Sequence, residues 1–595
     1  MKLVFKLAAA AIALVAPLTP FAAAARTMPL SAEGVRFEAL AQRYIVELTQ
    51  RSPVTATQLG DHRYDDRLSD VTALGRASRQ AQWEAMLAEL GRIDRARLSP
   101  DGQLDALLLA NDLRSNLWTD RELQEWAWNA QSYNDEAAGS LYVLAARDFA
   151  PWPQRLKSAT VRMEAIPAYL AESRRQLVPA RVPLVYAQQV AKQNAGIVEI
   201  AESMIAPHAG QLAGADRVRF DAALAGLKTA VAEQQTWLDK VLVPQAKGDF
   251  RLGAAHYDAK MAFGLQSSLT RPELKARALT AKAAIRAEMY GLVRKVLAGK
   301  AGGLPLPAEP DAAQQQAAIE AALALSYAQH PPRAELEQAA RDALAQATEF
   351  VRAQGFVDMP AGPVKVITMP KFQQGNAVAY DDPPGALERN QTNFFAVSPV
   401  PAEWTDAQAT SLLSEYNAFM IQDLAIHEAM PGHYLQLDHA NRDPSSLRAV
   451  LSSGPFVEGW AVYAEAMMKD EGYMHGDPLF QLTVLKMRLR SVTNTLLDIG
   501  IHTEGMTRDQ AMELMTRGAF QQEREAAGKW IRASLSSVQL LSYFTGYEEH
   551  RALRDEARAK WGKAFSLRRY NDAVLAHGSP PVKYVRELLL DLPIR

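Results

Sequence analysis

Val35–Gln50 reads VRFEALAQRYIVELTQ. Phe37, Leu40, Ala41, Tyr44, Ile45 and Leu48 recur at steps of three and four, with Glu38, Gln42 and Arg43 between them. An α-helix turns once in about 3.6 residues, so this spacing gathers the apolar side chains into one stripe and turns the charges away from it. Leu104–Leu117, Val218–Val241, Arg271–Leu297 and Ala334–Ala353 read the same way. Ala and long unbranched side chains fill them, and these lose little rotamer freedom on entering a helix. The expected fold is mainly α. Strand signals are few: Val364–Met369 (VKVITM) and Asn393–Val400 (NFFAVSPV) are β-branched or aromatic and bounded by turn residues. Between them Gln374–Gly385 (QGNAVAYDDPPG) reads as a loop with tight turns.

Across 595 residues there is no Cys, and 48% are hydrophobic and 22% charged, which excludes a disordered, collagen-like or disulfide-stapled chain. Lys+Arg 65 against Asp+Glu 67 leaves a net charge of −2, so no global field points to nucleic acid or an anionic membrane. The clearest interruption is Gly299–Pro310 (GKAGGLPLPAEP), a linker or long surface loop. A helical N-terminal half, residues 26–330, and a C-terminal half carrying the strands, residues 331–595, are expected to share one body with a cleft between them.

Met1–Ala25 stands apart. Lys2 and Lys6 precede an apolar run from Leu7 to Pro17, and Ala22–Ala25 supplies an A-x-A end. That order describes a secretory signal peptide covering residues 1–25. The apolar run is shorter than the roughly 20 residues a spanning helix needs. Removing it takes two lysines, so the charge falls from −2 to −4. The expected location is the periplasm or outside the cell, without stable membrane insertion. With no Cys available in that oxidising compartment, stability must come from a large buried core.

The chemistry concentrates in Ile421–His439, IQDLAIHEAMPGHYLQLDH. In the zincin pattern H-E-x-x-H, four residues rotate a helix by about 400°, which turns both imidazoles to one face. The Glu beside the first His then serves the metal-bound water as general base. Here His427 and His433 are six residues apart, about 600° on a regular helix, so an unbroken helix would hold them apart. Pro431 and Gly432 offer the break: Pro removes a backbone donor and clashes with the His427 carbonyl, while Gly permits irregular dihedrals. A bulge at Met430-Pro431-Gly432 is expected to return His433 to the side of His427. Gluzincins take a third ligand from a Glu on a following helix. Glu458, 25 residues past His433 in GPFVEGWAVYAE, is the candidate, with Pro455 suited to the first turn of that helix. Glu465 lies seven residues on, nearly on the same face, and is placed to orient a His ligand. Two imidazoles and one carboxylate leave a fourth position for water, as catalytic zinc requires. The plain alternative is that His427 and His433 are core or capping histidines and Glu458 makes a salt bridge.

The segments HEAMPGHYLQ at His427–Gln436 and FVEGWAVYAE at Phe456–Glu465 resemble the bacterial domain of unknown function 885 family, whose motifs run H-E-A-x-P-G-H-x-x-Q and E-G-W-A-x-Y-A-E. Ala56–Asp65 (ATQLGDHRYD), Arg490 through Asp498-Ile499-Gly500-Ile501-His502, and Leu541–Gly546 (LSYFTG) are similar to further blocks of that family, so the likeness covers nearly the whole mature chain. Members are described as candidate zinc metallopeptidases. The resemblance implies a large helical peptidase body with a deep cleft and a small β element, similar to thimet oligopeptidase and the Taq-type carboxypeptidases. It also implies one Zn2+ ion on His427, His433 and Glu458, with Glu428 as base. Ser536-Ser537-Val538-Gln539 departs from the P-G-Q found in many members, which bears on substrate preference more than on the metal.

Amide hydrolysis builds an oxyanion that needs a donor besides the metal. Tyr543, Tyr547 and His502 are the candidates, His502 foremost. Arg490 or Arg532 suits a peptide's terminal carboxylate through a bidentate fork. For Asp438 and His439 a supporting or solvated role fits better than ligation. The Asn393–Val400 strand precedes the metal helix and is placed to pair with an extended substrate by β-addition, or is simply structural. The function expected is a zinc-dependent metallopeptidase acting on exported or periplasmic peptides. Two alternatives use the same residues: a zinc amidase on a non-peptide amide, and a non-catalytic binding protein with a remnant peptidase fold. Oligomeric state leaves no mark in the sequence.

Overall fold

A computed structural model describes residues 30–299, 303–369, 379–388, 392–443 and 445–595. The signal-like segment 1–25 lies outside them, as do 300–302 of the Gly/Pro-rich interruption and 374–378 of the expected loop. The principal helices are α1 (Ala32–Arg51), α2 (Pro100–Trp118), α3 (Trp152–Gln176), α4 (Gly214–Trp237), α5 (Arg271–Val296) and α6 (Leu336–Gln354) in the first part of the chain. The second part contributes α7 (Ala418–Glu428), α8 (His433–Ala440), α9 (Gly454–Asp470), α10 (Pro478–Glu504), α11 (Glu523–Leu535) and α12 (Ser542–Trp561). Each expected helix forms. In α1 the stripe Phe37, Leu40, Ala41, Tyr44 and Ile45 is buried, and the Ser31 side chain caps the first turn by accepting from the Gly34 N–H.

A small sheet completes a mainly helical fold: β1 (Val364–Thr368), β2 (Ala379–Asp382) and β3 (Asn393–Val397), in the order β1-β3-β2. The strand β3 pairs parallel with β1 and antiparallel with β2. Two expectations need correction. Ala379–Asp382, read as loop, is an edge strand, because the free edge of β3 supplies backbone partners that no local pattern announces. The expected role of Asn393–Val400 in substrate pairing does not fit its place, since β3 is central and both its edges are taken.

One hydrophobic core joins α6, the sheet, α7, α9 and α12 through Val351, Phe395, Ile426, Trp460 and Tyr547. Another joins α5 to α10 through Ile285, Met289, Leu485 and Leu489, so packing crosses the expected boundary near residue 330. The helix α7 lies between α6 and the β2 edge, and α9 packs along α12. That crossing is very close. A Cβ on Gly546 would stand 1.8 Å from the Pro455 carbonyl oxygen, and one on Gly459 would stand 2.3 Å from the Gly546 carbonyl carbon. Only glycine at both positions lets the backbones meet, and Glu458 is the neighbour of one of them.

Candidate metal centre

The helix that begins at Ala418 stops at Glu428, and a new one begins at His433. Between them Ala429 leaves helical geometry at φ −131° and ψ −78°, and the Met430–Pro431 peptide is cis. The break is a stop and restart rather than a bulge within one helix. The Gly432 N–H reaches back to the Ile426 carbonyl at 2.9 Å. A Cβ at Gly432 would stand 1.9 Å from the His427 carbonyl oxygen, so no larger residue fits there. From α9, the Trp460 Nε1–H donates to the Pro431 carbonyl at 2.9 Å, fastening the break to the helix that carries Glu458. As expected, Pro455 sits in the first turn of α9, and Ser453 caps it by accepting from the Phe456 N–H.

Two imidazoles and a carboxylate converge at this break. One Glu458 oxygen lies 3.7 Å from His427 Nε2 and 3.5 Å from His433 Nε2. The three donor atoms lie within 4.8 Å of one another, and the rings stand nearly perpendicular at 86°. Contacts of 3.5 and 3.7 Å are long for direct hydrogen bonds. The first falls within, and the second just above, the roughly 3.3–3.6 Å expected between donors sharing one tetrahedral zinc at about 2.0–2.2 Å. The donor set therefore fits a zinc ion, with a fourth position left over. All three side chains keep partial exposure, 14% for His427, 11% for His433 and 21% for Glu458, so a ligand in that position has a way in.

The surrounding charges define each group. Glu465, nearly fully buried, accepts from His427 Nδ1 at 2.5 Å, the orienting role its position on α9 suggested. Burial opposes ionisation of Glu458, but the two imidazoles override it and hold the carboxyl well below the usual range. Glu428 is pushed upward by burial, tempered by His427 and His433. One of its oxygens accepts the Asp381 backbone N–H at 3.0 Å, which ties Glu428 to β2.

Two acids here escaped the sequence reading. Asp381 is deeply set beside Glu428, and burial and that neighbour raise its carboxyl well above the ordinary value. Its residues read as loop, so nothing marked it. Asp423 is one helical turn before His427, and burial together with Glu465 raises its carboxyl in the same way. The signal was available: an acid four residues before a candidate ligand, on the same helix face.

Other expected site residues are dispersed. His502 is buried, with Nε2 directed at the Ala533 and Ser536 carbonyls at 3.0 and 2.8 Å. No hydrogen bond, ion pair or ring contact among the described residues joins it to His427, His433 or Glu458. It braces the end of α11, a correction to its foremost place among oxyanion donors, since its N–H is already committed. The Tyr547 hydroxyl accepts from Arg551 at 3.0 Å. The Tyr543 hydroxyl accepts from Arg532 at 3.2 Å, and the Glu458 carboxylate belongs to its surroundings. Arg490 pairs with Glu525 at 2.6 Å, so its charge is answered within the fold. His439 bonds the Asp358 carbonyl at 2.9 Å, and Asp438 accepts the Ala361 and Gly362 N–H groups. Both hold a loop rather than an ion. The departing segment at Ser536–Gln539 places Val538 at φ 71°, held by its N–H to Asp498 at 2.9 Å. A β-branched residue is costly there, about 1–2 kcal/mol.

A family model described as "Bacterial protein of unknown function (DUF885)" matches residues 53–589. The chain belongs to this family. A solved structure of a candidate lipoprotein of unknown function from Shewanella oneidensis is 33% identical, with a TM-score of 0.80 over 93% of this chain and 99% of that one. A candidate lipoprotein from Colwellia psychrerythraea, 16% identical, shares the fold at a TM-score of 0.76 over 94% of this chain and 99% of its own. No curated protein matches the chain. Among the described residues, no helix of this DUF885 member is long and apolar enough to cross a membrane.

Proposed function

We propose that this protein is a zinc-dependent metallopeptidase that hydrolyses peptide bonds of exported peptides, with one ion held by His427, His433 and Glu458. The observation that carries the reading is the convergence of those three donors within 4.8 Å, with a separate carboxylate, Glu428, next in sequence to one of them. A zinc ion bound there supplies Lewis-acid polarisation of a carbonyl and lowers the pKa of water. Everything else falls to the protein. Glu465 holds His427 so that Nε2 faces the other donors. Glu428, its proton affinity raised by burial toward the working range of a general base, takes a proton from the attacking water and returns it to the leaving amine. The Asp381 N–H fixes one Glu428 oxygen and leaves the other for that proton. Of the three oxyanion candidates, Tyr543 is the one with Glu458 in its surroundings.

An exported location is part of the proposal. It is supported by the signal-like order of Met1–Ala25 and by the description of the Shewanella oneidensis relative as a candidate lipoprotein. The 595 residues contain no Cys, so they offer no thiol for a lipid. The test is digestion of a mixed peptide library by the zinc-loaded protein, with and without chelator, read by mass spectrometry. Chelator-sensitive cleavage is expected. No cleavage, or cleavage indifferent to chelator, ends the reading.

A further inference from the structure

On α10 and α11, Lys486, Arg490 and Lys529 lie in the field of two acids, Glu415 and Glu525, and Arg532 acts on Lys529. Lys486 is answered by Glu415 at 2.7 and 2.8 Å, and Arg490 by Glu525 at 2.6 Å. The other two have no acid within salt-bridge distance among the described residues. Lys529 is only 6% exposed, yet its Nζ donates to a neutral oxygen, Asn494 Oδ1, at 3.1 Å. Arg532 is exposed and donates to two neutral oxygens, Gln539 Oε1 at 3.0 Å and the Tyr543 hydroxyl at 3.2 Å.

A buried cation with no acid in direct contact is expensive, and a bound anion relieves that cost. Burial and the neighbouring guanidinium groups accordingly press the Lys529 ammonium well below its ordinary value. The cluster also has a direction. Arg532 touches Tyr543, and Tyr543 has the metal-ligating Glu458 in its surroundings. Arg532 presents a planar fork that matches a carboxylate, and its exposure leaves that fork reachable.

We infer that Arg532, with Lys529 behind it and the Tyr543 hydroxyl beside it, receives a carboxylate of the bound substrate. The site therefore selects peptides carrying a negative group near the bond to be cut, from a free C-terminus or from an Asp or Glu side chain. Arg490, already paired, serves to hold Glu525 rather than substrate. That the bound peptide is then cut rests on the metallopeptidase reading, whereas the recognition does not.

Binding to the full-length Glu428→Gln protein tests this without turnover. Three peptides of one sequence are titrated by calorimetry: a free acid, its C-terminal amide, and an amide ending in Glu. The free acid is expected to bind at least tenfold more tightly than the plain amide, and Arg532→Gln should erase that preference. Equally tight binding of the Glu-ended amide assigns the subsite to side-chain carboxylates; weak binding assigns it to the C-terminus. Equal affinity for all three, no binding of any, or a preference that survives in both Arg532→Gln and a folded Lys529→Met protein overturns the inference. Selective binding without hydrolysis by the wild type would leave the subsite standing and remove the peptidase.

Discussion

The carboxylate of Glu465 stands 2.5 Å from Nδ1 of His427. Accepting the Nδ1 proton fixes the tautomer, so the Nε2 lone pair points toward Glu458 and His433. Replacing this acceptor with a weaker one should loosen the ion without unfolding the chain. Glu465→Gln is expected to weaken zinc affinity by about 10–100-fold, measured by competition with a chromophoric chelator. Unchanged affinity would remove Glu465 from the metal centre.

Glu428 supplies no donor to the three-atom cluster. Its loss should therefore separate metal binding from turnover. Glu428→Gln is expected to retain one zinc per chain by elemental analysis while losing about 10²–10⁴ in rate. Hydrolysis at the wild-type rate would falsify the assigned role.

His433 opens α8 directly after the break. His433→Ala leaves two donors and should bring zinc content close to zero. Because a ligand that binds only the folded state raises stability, zinc should also raise the melting temperature of the wild type and not of this variant. An equal rise in both proteins would place the ion elsewhere.

Gly546 meets α9 with no room for a side chain. Backbone cannot move aside as a flexible side chain can, so Gly546→Ala should cost about 3 kcal/mol or more in denaturant unfolding. Zinc affinity should fall with it, since Glu458 rides on the displaced helix. A variant as stable as the wild type would show that the crossing yields.

His550 on α12 is fully buried, its Nε2–H donating to the Phe456 carbonyl at 3.0 Å, and burial lowers its pKa to about 4. With the folded value below the unfolded value of about 6.5, the unfolded chain binds the extra proton first. The contribution is complete above pH about 6.5 and is lost as pH falls toward 4, up to about 3 kcal/mol. His550→Gln should flatten the slope of melting temperature against pH in that window. An unaltered slope would assign the acid sensitivity to other groups.

Much of this was legible along the chain. The α1 stripe, the Pro455 start of α9 and the position of Glu465 all follow from helical spacing, a local property. The dispersed candidates were not legible in the same way. Nothing local separates His502, which braces two carbonyls, from a histidine facing substrate. Arg490 and Arg532 are alike in sequence, and only the fold gives one of them Glu525 as a partner. Asp381 was hidden because its strand exists only by pairing with β3.

By itself, the sequence determined that the chain is helical, which residues are candidate metal donors, and that Pro431 and Gly432 stand between His427 and His433. Those are consequences of periodicity and of what Pro and Gly do to a backbone, and they act within a few residues. Only the tertiary structure decided where the break sends His433, which carboxylate faces which imidazole, and which cations are left unanswered. Burial and charge pairing depend on neighbours tens to hundreds of residues away, and those neighbours meet only when the helices pack.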